Sequence, residues 1–508
     1  MKKIATFLLA MLLLLSVWVP AAAEVEDLSI VWLEDGLEVY INTLTSSIST
    51  AEPLELIPVA SYKDTVRYCG FVNTSGEIVI APQFDSVWPF SDGLARVTIK
   101  TEDGKLLYGC INTAGDFVIE PKYNEMSAFS DGYALITIKD ENGKSLYGYV
   151  NMQGEEVIAP QYEYANVFVD GFARVGTYSE EGVYLFGMID KNNNLVIPMQ
   201  YVATGILSEG LISMAIPVDG VQKWGFLNTK GEIVIPFLYE NAGNFSDGLA
   251  PVGVATENKK VLFGYVDPSG EMVIQPQFSL AFDFDNGYAV AARGGKNGTS
   301  IGTGLIDRSG DFVVPPAYSS IRSTSNGVSL IVSRSSGSEL YGWYDTITGT
   351  LVEPQYTSLG EFSDGLACIG KTNLFGTKKY GFVLSDGRVA ISPLYESAVA
   401  FNEGLAVVKK NSRYGCLNTA GKFVLPLEYS SIKVICNLVV VTDGGRSGFA
   451  INPGFGLEHS YTGSMPLSLS FAEISLIAGT AAMVVVFIFL NRRNKKKKKV
   501  QESQAQEN

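Results

Sequence analysis

The stretch WGFLNTKGEIVIP, Trp224–Pro236, decides the fold. An aromatic residue and Gly225 open a short apolar run. Asn228-Thr229-Lys230-Gly231 interrupts it, and a second apolar run ends at Pro236. An Asn at the first turn position caps the turn with its side chain, and a Gly at the fourth takes the left-handed conformation of a bulged hairpin. The segment therefore predicts two short antiparallel strands, the second closed by a proline that cannot donate to a ladder. Further along, FGYVDPSGEMVIQP (Phe263–Pro276) repeats the same pattern.

Working outward, the glycine after the aromatic recurs at 70, 109, 148, 187, 225, 264, 304, 342, 381 and 415. A second glycine keeps the same beat at 93, 132, 171, 210, 248, 287, 327, 365 and 404. Two landmarks in phase make an internal repeat of about 39 residues, and a repeat sets the fold class. One unit reads as a strand after the second glycine, a turn, a strand around the first glycine, the Asn/Asp-x-x-Gly turn, and a third strand. The aromatic before the first glycine (Tyr108, Tyr147, Phe186, Trp224, Phe263, Tyr341, Tyr380, Tyr414) and the residue after it share a strand face. A third aromatic stands three residues before the second glycine: Phe90, Phe129, Phe168, Phe245, Phe284, Phe362 and Phe401. A single unit is too small to bury these side chains, so stacked units are expected to share them in a continuous core.

The pattern resembles the WG-containing repeat family of bacterial proteins. KWGFLNTKGEIVIP from Lys223 and FSDGLA at Phe90, Phe245 and Phe362 carry the likeness, which covers residues 66 to 430. Most units have Tyr-Gly or Phe-Gly where the family name has Trp-Gly. The resemblance implies a β-rich repeat protein and carries over no common catalytic residue.

The expected fold is all-β, with tandem units forming an open twisted array and a closed β-propeller as the alternative. The array is favoured because the nine full units and a decayed tenth exceed the usual four to eight blades. No N-terminal strand clearly completes the last unit. Residues 24–65 are expected to form an N-terminal cap, in which Leu33–Ile41 resembles a decayed unit, and 431–457 a degenerate C-terminal repeat.

The ends carry different signals. Lys2 and Lys3, an apolar run from Ile4 to Val19 and Ala21-Ala22-Ala23 read as a signal peptide over residues 1–23. Residues 471–490 include an uncharged run from Ile474 to Leu490, which reads as a transmembrane helix. A polar linker, 458–470, precedes it. The tail 491–508 opens with NRRNKKKKK, a cytoplasmic stop-transfer signal. The expected protein is a single-pass membrane protein with its repeats outside. Removing Lys2, Lys3, the seven tail cations, Glu502 and Glu507 leaves 29 basic and 51 acidic residues, a net charge of −22. That argues against nucleic acid as a partner, which requires a basic face.

Candidate chemistry is sparse. The lone histidine, His459, stands in the linker, and there is no Cys-x-x-Cys. Cys110 and Cys416 occupy the apolar slot after the glycine and read as small buried hydrophobes. Cys69, Cys368 and Cys436 make the count odd, so at least one thiol is free or paired between chains. Asp283–Gly287, DFDNG, lacks the distal glutamate of a calcium loop and is this unit's version of FSDG. Asp92, Asp131, Asp170, Asp247 and Asp364 read as turn residues. The glycine-rich stretch Arg293–Gly304 lies between strands, unlike a phosphate loop. No catalytic residue, cofactor or metal site is expected. The expected function is non-enzymatic binding or scaffolding at the cell surface, with an envelope protein or wall polymer as partner. The alternative is a carbohydrate-binding module using exposed aromatics.

Overall fold

The computed structural model describes residues 28–40, 53–294, 302–323, 327–335, 338–373 and 375–457. The segments read as signal peptide, linker, transmembrane helix and basic tail lie outside them. Among the described residues no helix is long and apolar enough to cross a membrane.

The described strands form eleven four-stranded antiparallel sheets, here called blades. Blade 1 comprises Leu37–Val39, Leu56–Lys63, Val66–Asn73 and Ile78–Phe84. Blade 2 comprises Ser86–Val87, Leu94–Lys100, Leu106–Asn112 and Phe117–Tyr123, and the meander continues around the chain. A single residue, such as Asp85 or Asn124, separates the fourth strand of one blade from the first strand of the next.

The expectation of an open array is corrected: the blades close into a ring, as in a β-propeller. Blade 11 takes Ser431–Ile435, Leu438–Asp443 and Arg446–Ile451 from the C-terminal side. Its fourth strand is Val31–Trp32, paired antiparallel with Phe449 and Gly448. Leu33, Leu54, Ile57, Val59 and Val72 then pack with Leu438, Val440 and Phe449 across the seam. Asn437 completes the join. Its Oδ1 accepts the Leu54 N–H at 2.8 Å, and its Nδ2 donates to the Leu54 carbonyl at 3.3 Å. Residues 24–65 thus supply strands to the first and last blades, and 431–457 supply three strands of the last.

Proline does not end the strand it sits in, as the sequence suggested. Around Gly109, Tyr108 pairs with Tyr123 and Cys110 with Ile119, so Glu120-Pro121-Lys122 arch over the glycine as a bulge. A Cβ on Gly109 would stand 2.4 Å from the Ile119 carbonyl oxygen and 2.9 Å from the Pro121 nitrogen. Only glycine fits beneath the arch, and Pro121 sits where the ladder is already interrupted. The strand resumes to an aromatic, and Phe84, Tyr123, Tyr162, Tyr201 and Phe278 are all buried there.

The core lies between blades. The residue after the glycine packs on the Phe of the next blade, with ring centroids 4.8 Å apart for Phe71–Phe90, 4.6 Å for Tyr149–Phe168 and 4.9 Å for Phe226–Phe245. The aromatic before the glycine is shallower than expected. Trp224, Tyr147 and their equivalents are only half-buried, at the margin of this core.

Candidate functional site

Three features of the ring have the makings of a site: the acidic turns, an inter-blade cavity and the outer strand of each blade.

The acidic turns are structural. Asp92-Gly93 form a two-residue hairpin loop, closed by paired hydrogen bonds between Ser91 and Leu94 at 3.0 Å. Asp92 has φ 52° and Gly93 φ 78°, the doubly left-handed backbone of a type I′ turn. Carboxylates at this register reach the next turn along the ring. Asp131 Oδ2 accepts the Gly171 N–H at 2.6 Å, Asp247 that of Gly287 at 2.6 Å, and Asp364 that of Gly404 at 2.8 Å. Turn-forming was legible in the sequence. The blade-to-blade latch was not, because it joins residues 40 apart.

A cavity of about 320 Å³ lies between blades 7 and 8, lined in part by Phe282, Asp283, Asp285, Tyr288, Leu305 and Arg322. Leu305 stands in the slot where six blades carry a ring: Phe71, Tyr149, Phe226, Tyr265, Trp343 and Phe382. Asp283 is engaged structurally, accepting the backbone N–H and side-chain amide of Asn244 at 3.0 and 3.1 Å.

The outer strands are different, because they expose apolar residues on both of their faces. Phe117, Val157, Leu195, Ile233, Val234, Val273, Leu351 and Phe423 are all exposed on the fourth strands of blades 2 to 6, 8 and 10. Each fourth strand is the edge of its sheet. The bulge and its proline interrupt that edge, which discourages edge-to-edge pairing, while the apolar side chains remain displayed.

The cysteines are thiols rather than disulfides. Burial pushes the thiols of Cys110, Cys368 and Cys416 up to about 12 and that of Cys69 up to about 11. Those four are inert core residues, as expected for Cys110 and Cys416. Among the described residues, no group of three or more His, Cys, Asp or Glu is placed to hold a metal. His459 and residues 295–301 of the glycine-rich stretch lie outside them. One surface cluster was missed in the sequence reading. Tyr164, Tyr184 and Phe186 meet edge-on at 4.9–6.3 Å, and exposed Tyr178 lies 4.7 Å from Tyr184. Burial pushes the Tyr184 hydroxyl up to about 12. The cue was the pair of tyrosines at 178 and 184, which face each other across a hairpin.

The profile of the WG containing repeat family matches ten segments: 70–100, 108–141, 147–176, 186–214, 224–254, 263–296, 304–333, 341–375, 380–414 and 414–441. No curated protein matches the chain. Among solved structures, the tricorn protease is similar at 11% identity and TM-score 0.20, over 77% of this chain and 46% of that one. An uncharacterized protein of Listeria monocytogenes EGD-e is similar at 10% identity and TM-score 0.28, over 65% and 95%. A post-proline cleaving enzyme from Rickettsia typhi is similar at 11% identity and TM-score 0.28, over 66% and 57%. The chain spans less than two thirds of both proteolytic enzymes, and scores this low carry nothing about its activity. The ten matched segments cover more than half of the sequence and run in phase with the blades. The chain belongs to the WG containing repeat family.

Proposed function

We propose that this protein is a non-catalytic binding or scaffolding module, held at the cell surface by a single membrane anchor with its ring outside. The observation that carries the binding role is the set of exposed apolar residues on the fourth strands of blades 2 to 6, 8 and 10, from Phe117 to Phe423. Repeated apolar residues on neighbouring edges offer an extended contact surface to a protein partner in the envelope. The anchor is supported by the uncharged run Ile474–Leu490 and the cations that follow it, and export by the leader-like residues 1–23. Protease added to intact cells is expected to cleave the ring, and survival of the whole chain contradicts the orientation.

A photo-reactive residue at Ile233, in full-length protein in native membranes, tests the binding surface. It is expected to give one discrete cross-linked species that Leu195→Lys weakens. No cross-link at Ile233, Leu195 or Phe117 contradicts the reading. The Tyr178–Tyr184 cluster favours a second reading, contact with wall polysaccharide through stacked rings. In that case Tyr178→Ala lowers retention on wall polymer without altering the Ile233 cross-link.

A further inference from the structure

The hairpin joining the second and third strands is acidic in blades 2 to 6. Its tips carry Glu102-Asp103, Asp140-Glu141, Glu180-Glu181, Asp219 and Glu257. Blade 9 breaks this rule. Its second and third strands are Leu366–Thr372 and Lys378–Leu384, and the loop between them reads Asn373-Leu374-Phe375-Gly376-Thr377. The Phe375 side chain is 92% exposed at the tip. An apolar tip is costly in water, and the position before the turn glycine that Phe375 occupies holds Asp103, Asn142 and Glu181 in blades 2 to 4.

The stem beneath the tip is unusual as well. Lys371 lies directly opposite Lys379, and Lys378 stands beside them opposite Thr372. The neighbouring hairpin, in blade 10 (Leu405–Lys410 and Arg413–Asn418), places Lys410 opposite Arg413. Like charges facing across a ladder destabilise it, and here two such pairs occur on adjacent blades of a chain whose exported part is strongly acidic. Glu396 lies under the influence of both Lys379 and Lys409, and its carboxylate is occupied by the Ser412 and Asn411 N–H groups, which hold its pKa below the ordinary value. Asp443 pairs with Arg413 at 2.9 Å. Lys378 donates to the Thr357 carbonyl at 3.3 Å and Lys409 lies over the Tyr414 ring, while Lys371 and Lys410 are exposed.

We propose that the blade 9 hairpin is a membrane-docking tip: Phe375 inserts into the headgroup region of an anionic phospholipid bilayer while the surrounding cations of blades 9 and 10 engage lipid phosphates. An apolar tip over a basic collar matches the two layers of such a surface, apolar beneath anionic. A soluble polyanion would use the collar and leave Phe375 in water. The docking deepens the membrane reading above, because it holds one side of the ring against the bilayer.

Full-length Phe375→Trp protein in lipid nanodiscs tests it, with wild type as the spectral background. Stable incorporation into neutral discs reports on the anchor alone. In discs of anionic phosphatidylglycerol, the emission of the introduced indole is expected to shift to shorter wavelength and to be quenched by brominated acyl chains. Lys371→Gln/Lys379→Gln/Lys410→Gln in the same background is expected to weaken docking, each charge by roughly fivefold. Protein that incorporates into discs but shows the same unquenched indole emission in neutral and anionic lipid overturns the docking tip and leaves the anchor standing. Protein that fails to incorporate, yet shows quenching of the introduced indole on anionic vesicles, overturns the anchor and keeps the tip.

Discussion

Trp343 and Trp224 occupy adjacent slots of the same repeat, one after the landmark glycine and one before it. The sequence correctly places the two slots on one face, because they are two residues apart on a strand. Depth along that face was not legible, since it depends on where the next blade lands. Trp343 is fully buried, packs on Phe362 at 5.3 Å and donates its indole N–H to the Ser385 carbonyl at 2.6 Å. Trp224 is half-buried. Trp343→Ala is therefore expected to cost about 3–5 kcal/mol, the range for large aromatic truncations in cores, and Trp224→Ala distinctly less. Chemical denaturation of the two variants checks the order, and equal losses contradict it. The cysteines give a second residue-scale test. Cys69, Cys110, Cys368 and Cys416 are buried with raised thiol pKa values, so at pH 8 they are expected to resist a thiol reagent until the chain unfolds. Rapid labelling of all five in native buffer contradicts their placement.

At the scale of elements, the Asn-x-x-Gly hairpins were legible because their chemistry is local. Asn73 Oδ1 accepts the Ser75 and Glu77 N–H groups at 3.0 Å, and Gly76 has φ 85°. The proline bulge was misread because the residues that resume the strand carry no turn signal. The aromatic that follows, Tyr123, joins two blades, which no local pattern announces. Its hydroxyl donates to Glu156 Oε1 at 2.7 Å, and Lys122 Nζ reaches the same oxygen at 2.8 Å. Lys122 and then Tyr123 hold the Glu156 carboxyl below its ordinary value. The unfolded chain binds that proton more readily, so the contribution is present at neutral pH and lost as pH falls below about 4. Glu156→Gln is expected to be less stable than wild type at pH 7, with the gap closing on acidification. A gap that stays constant from pH 7 to pH 3 contradicts the assignment.

The whole molecule was the least legible scale, and the family profile shows why. Each matched segment begins at the third strand of one blade and runs into the second strand of the next, as 70–100 spans Gly70 to Lys100. Ten sequence repeats therefore leave half a blade at each end. The leading half is Leu37–Val39 and Leu56–Lys63, and the trailing half is Arg446–Ile451 with Val31–Trp32. Counting units gave ten, while the halves raise the number of blades to eleven. The closing strand is two residues long, too short for any periodicity to announce it.

Closure is the central claim, and a distance across the seam tests it most directly. Leu33 donates its N–H to the Ser447 carbonyl at 3.1 Å, and exposed Glu34 and Arg446 flank that bond. Spin labels at Glu34→Cys and Arg446→Cys, with Cys436→Ser removing the half-exposed native thiol, allow the distance to be read by pulsed dipolar spectroscopy. Paired strands lie about 5 Å apart, so with label linkers the closed ring predicts a narrow distribution within about 20 Å. An open stack advancing about 10 Å per blade would separate the same labels by about 100 Å, and loss of the short distance would contradict the ring.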